Sequence, residues 1–212
     1  MRNANFKLKY YLMLVIDIFD DFNHIEEAKS FLEMSLKSGV NIIQFRDNKS
    51  NKFQEKFDMI NNLKINFPKS KLIVNSDIKL AKESLADGIH IKESNWNKDI
   101  INISNDLIIG KSVHYNNINI ENSKSTVNPN YVILGTIFKS KTHPKIHPIG
   151  VNKFTELKNI YKSPVIGIGG INESNTELVI NSGANGVAIK SGIIKNKDPE
   201  KAIIQIKKIL LK

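Results

Sequence analysis

Two stretches near the end of the chain decide its fold: Pro164-Val165-Ile166-Gly167-Ile168-Gly169-Gly170-Ile171-Asn172 and, after one helical segment, Gly186-Val187-Ala188-Ile189-Lys190-Ser191-Gly192. Each is a short apolar run without polar alternation, ending in small residues. That is the signature of a parallel strand buried on both faces and followed by a tight turn. The residues between them, Glu173–Asn181, read as a helix, so the unit is strand–turn–helix–strand.

Working outward, the same unit recurs along the chain. Strand candidates are Tyr11–Ile18, Asn41–Arg46, Lys71–Asn75, Gly88–Ile91, Leu107–Ser112, Tyr131–Thr136, Pro164–Gly169 and Gly186–Ile189. Helical segments lie between and after them: Ile25–Ser38, Phe53–Asn66, Ile78–Ala86, Asp99–Ser104, Ile118–Ser123, Lys153–Tyr161, Glu173–Asn181 and Pro199–Leu211. Asn23 with Glu26 forms a capping pair for the first helix, Asn172 and Asp198 cap the last two, and Gly39 and Gly183 stop helices ahead of strands. Eight such units in 212 residues predict an α/β fold, a single (β/α)8 TIM barrel forming one domain over 1–212. A doubly wound open sheet is the competitor; the count of eight favours closure.

The net charge of +10 invites a nucleic-acid reading. Its lysines, however, are dispersed over helix faces (Lys52, Lys56, Lys79, Lys82, Lys207, Lys208) without interleaved stacking aromatics, so no nucleic-acid partner is expected. Cysteine is absent, which excludes disulfides and thiolate metal sites and suits a cytoplasmic setting. The basic residues before Tyr10–Ile16 lack a following cleavage pattern, and no apolar run reaches membrane-spanning length, so no membrane partner is expected.

In a barrel of this kind chemistry gathers where strands end. Gly169 and Gly170 after the seventh strand, with Ser191 and Gly192 after the eighth, expose backbone amides on adjacent turns and predict a phosphate site. The bland alternative is that these glycines serve only the turns. Gln44 and Arg46 share one face of the second strand. Arg46 is therefore either paired with a barrel carboxylate, Asp17 being the nearest candidate, or reserved for an anionic ligand. Ser112 and His114 share a face of the fifth strand, and His114 has the intrinsic pKa for acid–base work; a lone histidine is more often a structural residue. His143 and His147 sit in a polar loop, where they either close over a ligand or are solvated. His24 and His90 carry no functional signal, His90 reading as a buried structural residue. The five histidines show no metal-ligand spacing.

These segments in this order resemble the thiamine-phosphate synthase family and its thiazole tautomerase (TenI-like) branch, from about Tyr11 to the last helix. The carrying pieces are Gln44-Phe45-Arg46, Val74-Asn75, Asp87-Gly88-Ile89-His90-Ile91, Gly110-Lys111-Ser112-Val113-His114, Gly167-Ile168-Gly169-Gly170-Ile171, Gly183-Ala184-Asn185-Gly186 and Ser191-Gly192-Ile193. The resemblance implies a site made of Gln44, Arg46, Asn75, Ser112, Ser140, Thr142, Gly170, Lys190 and Ser191, with His143 in the lysine position that follows Thr142. In the synthase, a pyrimidine diphosphate loses pyrophosphate and a thiazole phosphate captures the pyrimidine-methyl cation, with Mg2+ assisting.

The chain departs from that pattern where the metal is held: Ser76 and Asn95 occupy the two aspartate positions, and Asn48 a diphosphate-lysine position. The leading expectation is therefore a metal-independent thiazole tautomerase using His114 as acid–base, with no cofactor. The alternatives are a divergent synthase, for which Mg2+ is the cofactor, and a non-catalytic barrel binding thiazole or thiamine phosphates. A phosphorylated thiazole is the partner in each, with a pyrimidine diphosphate added for the synthase; self-association into a homo-oligomer is left open.

Overall fold

The computed structural model describes residues 6–46, 52–97, 106–114, 128–140 and 146–212. Eight parallel strands form a closed barrel in chain order: β1 Tyr11–Ile16, β2 Ile42–Phe45, β3 Lys71–Asn75, β4 Gly88–Ile91, β5 Ile108–His114, β6 Tyr131–Gly135, β7 Val165–Ile168 and β8 Gly186–Ile189. Closure is made by β1 against β8, with Met13 opposite Ala188, while the other edge of β1 sets Met13 opposite Ile42. The open-sheet alternative is excluded.

Period-two geometry explains why these strands read as unbroken apolar runs. On β1, Leu12, Leu14 and Ile16 face the outer layer with Leu32, Ile60, Phe154 and Ile203 from the surrounding helices. Tyr11, Met13 and Val15 alternate with them and fill the barrel interior with Ile42, Ile73, Ile108, Tyr131, Ile133 and Ile166. Phe6 plugs the amino-terminal end: its ring stacks on Tyr131 at 4.5 Å and its carbonyl accepts from the Tyr11 hydroxyl at 2.9 Å. The interior is thus packed at the bottom and hollow only at the top.

The helices are α1 Ile18–Asp21, α2 Ile25–Ser38, α3 Phe53–Asn66, α4 Ile78–Glu83, α5 Gly150–Lys158, α6 Thr176–Asn181, α7 Ser191–Ile194 and α8 Pro199–Leu210. The expected helices Asp99–Ser104 and Ile118–Ser123 fall on or within segments outside the described residues. Asp198 caps α8 as expected, accepting from the Lys201 amide at 3.0 Å. Two other caps differ. α2 starts from His24 with no side-chain cap bond, so the Asn23–Glu26 pair is not formed. Asn172 spends its side chain on a local turn, accepting from the Ser174 amide at 2.9 Å, and α6 consequently begins at Thr176 rather than Glu173. The first strand stops at Ile16 because Asp21 Oδ2 accepts the Asp17 amide at 2.8 Å and turns the chain into α1.

Candidate active site

A cavity of about 400 Å³ opens at the carboxyl-terminal mouth of the barrel. Its wall gathers Gln44 and Arg46 from β2, Asn75 from β3, Ser112 and His114 from β5, Ser140 beyond β6, Gly169 and Gly170 beyond β7, and Lys190 and Ser191 beyond β8. Strand ends supply every one of these positions, which is why residues scattered over the sequence converge. Gly192 lies just behind Ser191 in α7. Thr142 and His143 lie outside the described residues.

The glycine turns are shaped by contact, not only by the need to turn. Gly169 and Gly170 have φ of +102° and +65°. A Cβ on Gly169 would lie 2.5 Å from Thr136 Cγ2, and one on Gly170 would lie 2.5 Å from the Lys139 carbonyl oxygen. The turn is braced by Asn175, whose amide donates to the Gly170 carbonyl at 3.0 Å. Among the described residues, the amides of Gly170, Ser191 and Gly192 donate no backbone hydrogen bond. They form a set of backbone donors on the two adjacent turns, with Gly170 and Ser191 on the cavity wall, an arrangement suited to a phosphate dianion.

Charge is distributed unevenly around the rim. Arg46, Lys92 and Lys190 line the wall with Glu93. Lys190 Nζ is held 3.0 Å from Asp21 Oδ2. Arg46 makes no ion pair with a described carboxylate, so the expected resting partner Asp17 does not serve it. A half-buried guanidinium without a counter-charge is positioned for an anion. Deeper in, Gln44 Nε2 and Asn75 Nδ2 are buried without hydrogen-bond partners. Buried amide donors in that state are costly unless a ligand supplies acceptors.

His90 is the functional-site residue that sequence reading passed over. It is buried yet contributes to the cavity wall. Its Nε2 lies 2.7 Å from Ser112 Oγ and its Nδ1 lies 3.1 Å from the Tyr131 hydroxyl. Burial, aided by the Arg46 charge, holds its pKa down at about 3, so the ring is neutral. On the paired strands β4 and β5 His90 lies opposite Gly110, two residues before Ser112, a register that the sequence alone does not give. His114 stands exposed at the end of β5, where its backbone amide donates to Glu93 Oε2 at 3.1 Å. His147 is exposed and is not part of the wall, to which its neighbour Ile146 contributes instead.

The tips of β3 and β4 are where a divalent cation would be held, and their residues do not fit one. Ser76 adopts φ +64° and buries its hydroxyl without a partner. The adjacent Asp77 is committed to capping α4 through the Leu80 amide at 2.9 Å. Asn95 is exposed in a short 3-10 turn (Glu93–Asn95) and lies off the wall. Among the described residues no group of three His, Asp or Glu side chains is arranged to hold a metal.

The fold and site together define a closed (β/α)8 barrel with a cavity at its carboxyl-terminal mouth, where barrels of this class place their chemistry. The chain belongs to the thiamine monophosphate synthase (TMP-TENI) family, which it matches over residues 12–193. It is 31% identical over 218 aligned residues to the thiamine-phosphate synthase of Clostridium acetobutylicum, covering 98% of both chains. Its fold superposes on a thiamine phosphate pyrophosphorylase from Pyrococcus furiosus with a TM-score of 0.78, at 23% identity and covering 95% of this chain and 96% of that one. A 3-hexulose-6-phosphate synthase from Salmonella typhimurium shares the fold at a TM-score of 0.73 and 18% identity, covering 95% and 98%. Among the described residues no helix is long and apolar enough to cross a membrane.

Proposed function

We propose that this chain is a transferase joining a pyrimidine-methyl diphosphate to a thiazole phosphate. The observation that carries this reading is the near-full-length likeness to a relative named thiamine-phosphate synthase, which favours condensation over the isomerisation expected from the sequence. In the reaction the carbon–oxygen bond to the diphosphate breaks and the diphosphate leaves with its electron pair. The thiazole nitrogen lone pair then forms the new carbon–nitrogen bond. These bond changes require no proton transfer, so no acid–base residue is needed at the reacting atoms.

The residues around the cavity suit this division of labour. The thiazole phosphate sits against the Gly170, Ser191 and Gly192 amides. Arg46, Lys92 and Lys190 offset the charge that develops on the departing diphosphate, and the Gln44 and Asn75 amides donate to acceptors of the pyrimidine half. Family members of this kind use magnesium; the described side chains at the β3 and β4 tips do not fit it. The setting in this reading is the cytoplasm, with soluble phosphorylated partners.

Incubation of the chain with both substrates in magnesium buffer is expected to release pyrophosphate and form thiamine phosphate. Absence of product would overturn the proposal. A second reading, the thiazole tautomerase, is favoured by Ser76 and Asn95 standing in the metal positions and by His114 on the cavity wall. It requires turnover of a thiazole carboxylate phosphate without metal and loss of that turnover in His114→Ala.

A further inference from the structure

A hydrogen-bonded chain runs from the plugged floor of the barrel to the cavity, through Tyr131, His90 and Ser112. Tyr131, at the start of β6, crosses the barrel interior over Gly110, where a Cβ would lie 2.1 Å from Tyr131 Cζ. Its hydroxyl is wholly buried and lies 3.1 Å from His90 Nδ1, and the two rings stack with centroids 5.6 Å apart. On the other side of the imidazole, Nε2 meets Ser112 Oγ at 2.7 Å, and Ser112 lines the cavity.

A neutral imidazole carries one proton, so the chain has two possible directions. In one, Ser112 donates to Nε2 and Nδ1 donates to the phenol oxygen. The phenol proton then needs a different acceptor, and among the described residues the phenol forms no hydrogen bond other than the contact with Nδ1. Burial raises the phenol pKa, so that proton is not lost; the neighbouring Gln44 side chain lowers it in part, acting toward the phenol as a donor and not as an acceptor. In the other direction, the phenol donates to Nδ1, Nε2–H donates to Ser112 Oγ, and the serine proton turns to the cavity. The phenol and imidazole donors are then both matched, which is the arrangement a desolvated network adopts.

We propose that His90 is a positioning residue: Tyr131 fixes it as the Nε2–H tautomer, and it holds Ser112 as a hydrogen-bond donor that selects a ligand acceptor atom. The consequence is polarity at one point of the site. A ligand presenting a ring nitrogen, carbonyl or phosphoryl oxygen to Ser112 is favoured over one presenting an N–H, which would leave the serine proton unmatched. This rests on the transferase reading for the identity of the ligand, in which that acceptor belongs to the pyrimidine diphosphate, but not for the tautomer.

The test has one arm that needs no substrate. Nitrogen-15 histidine NMR of the full chain is expected to show His90 as the Nε2–H tautomer, with no titration between pH 8 and 5. An Nδ1–H tautomer, or protonation within that range, would overturn the proposal whether or not the chain is a transferase. Tyr131→Phe, which keeps the ring in place, is expected to release the pin and yield mixed tautomers; an unchanged tautomer would contradict the role given to the phenol. In the transfer assay, His90→Gln retains a donor at the Nε2 position and is expected to keep KM for the pyrimidine diphosphate within about threefold. His90→Phe is expected to raise that KM about tenfold with little change in kcat. Ser112→Ala combined with His90→Phe should be no worse than Ser112→Ala alone; additive losses would show that His90 acts independently of the serine.

Discussion

The two ends of the cavity rim are built to different standards. At the β7 and β8 tips, the amides of Gly170, Ser191 and Gly192 donate no backbone hydrogen bond, and a Cβ at Gly170 or Gly192 would meet backbone oxygen. At the β3 and β4 tips, the equivalent positions for a metal carry Ser76, buried and unpartnered, and Asn95, exposed and off the wall. The nearest carboxylates are spent elsewhere: Asp77 on a helix cap and one Glu93 oxygen on the His114 amide. The contrast teaches that a donor set built from backbone amides is secured by packing, whereas one built from side chains changes with a few substitutions.

That contrast can be broken most severely at Gly170. Gly170→Val forces a Cβ against the Lys139 carbonyl at a positive φ, and thiazole phosphate affinity is expected to fall about a hundredfold while the fold persists, read by calorimetry and circular dichroism. Arg46→Ala removes the cation without a described counter-charge and should weaken pyrophosphate binding about thirtyfold, with little effect on the thiazole phosphate. Conversely, Ser76→Asp with Asn95→Asp rebuilds two family carboxylates, and Asp tolerates the left-handed backbone of position 76. Magnesium should then tighten pyrophosphate binding about tenfold over the parent, measured by titration with and without the ion. His114→Gln is expected to lower pyrimidine transfer by no more than about threefold; a much larger loss would favour the proton-transfer chemistry of the second reading.

Acid stability probes the floor of the same cavity. The folded protein holds His90 at about 3 against 6.5 in the unfolded chain, so between these values the unfolded state binds the extra proton. His90 therefore lowers stability as pH falls below 6.5, by up to about 1.4 kcal/mol per pH unit, and contributes no slope above it. Denaturant melts of the parent and His90→Phe between pH 7 and 4 should differ in slope by about that amount.

The fold was legible because a buried parallel strand has a local signature. Lys71–Asn75 and Gly88–Ile91 coincide with β3 and β4, and Ile25–Ser38 and Phe53–Asn66 with α2 and α3. Ends decided by side-chain competition were less legible: Asn172 reads as a cap but closes its own turn, and β5 runs on to His114 beyond Ser112. The site was legible at strand tips for the same reason as the fold, since Gln44, Asn75, Ser112, Gly170 and Ser191 follow directly from strand ends. His90 was hidden because its role depends on Tyr131 reaching from β6 across the barrel, a contact that no local pattern encodes. Arg46 remained ambiguous for a related reason, as only the three-dimensional arrangement shows that Asp17 does not pair with it.

Whether the carboxyl-terminal turns grip the ligand phosphate is decided most directly by amide NMR of the chain titrated with thiazole phosphate. Saturable shifts concentrated at Gly170, Ser191 and Gly192, unaffected by chelating divalent ions, are the predicted result. Shifts confined to other strand tips, or binding that vanishes with the chelator, would contradict it.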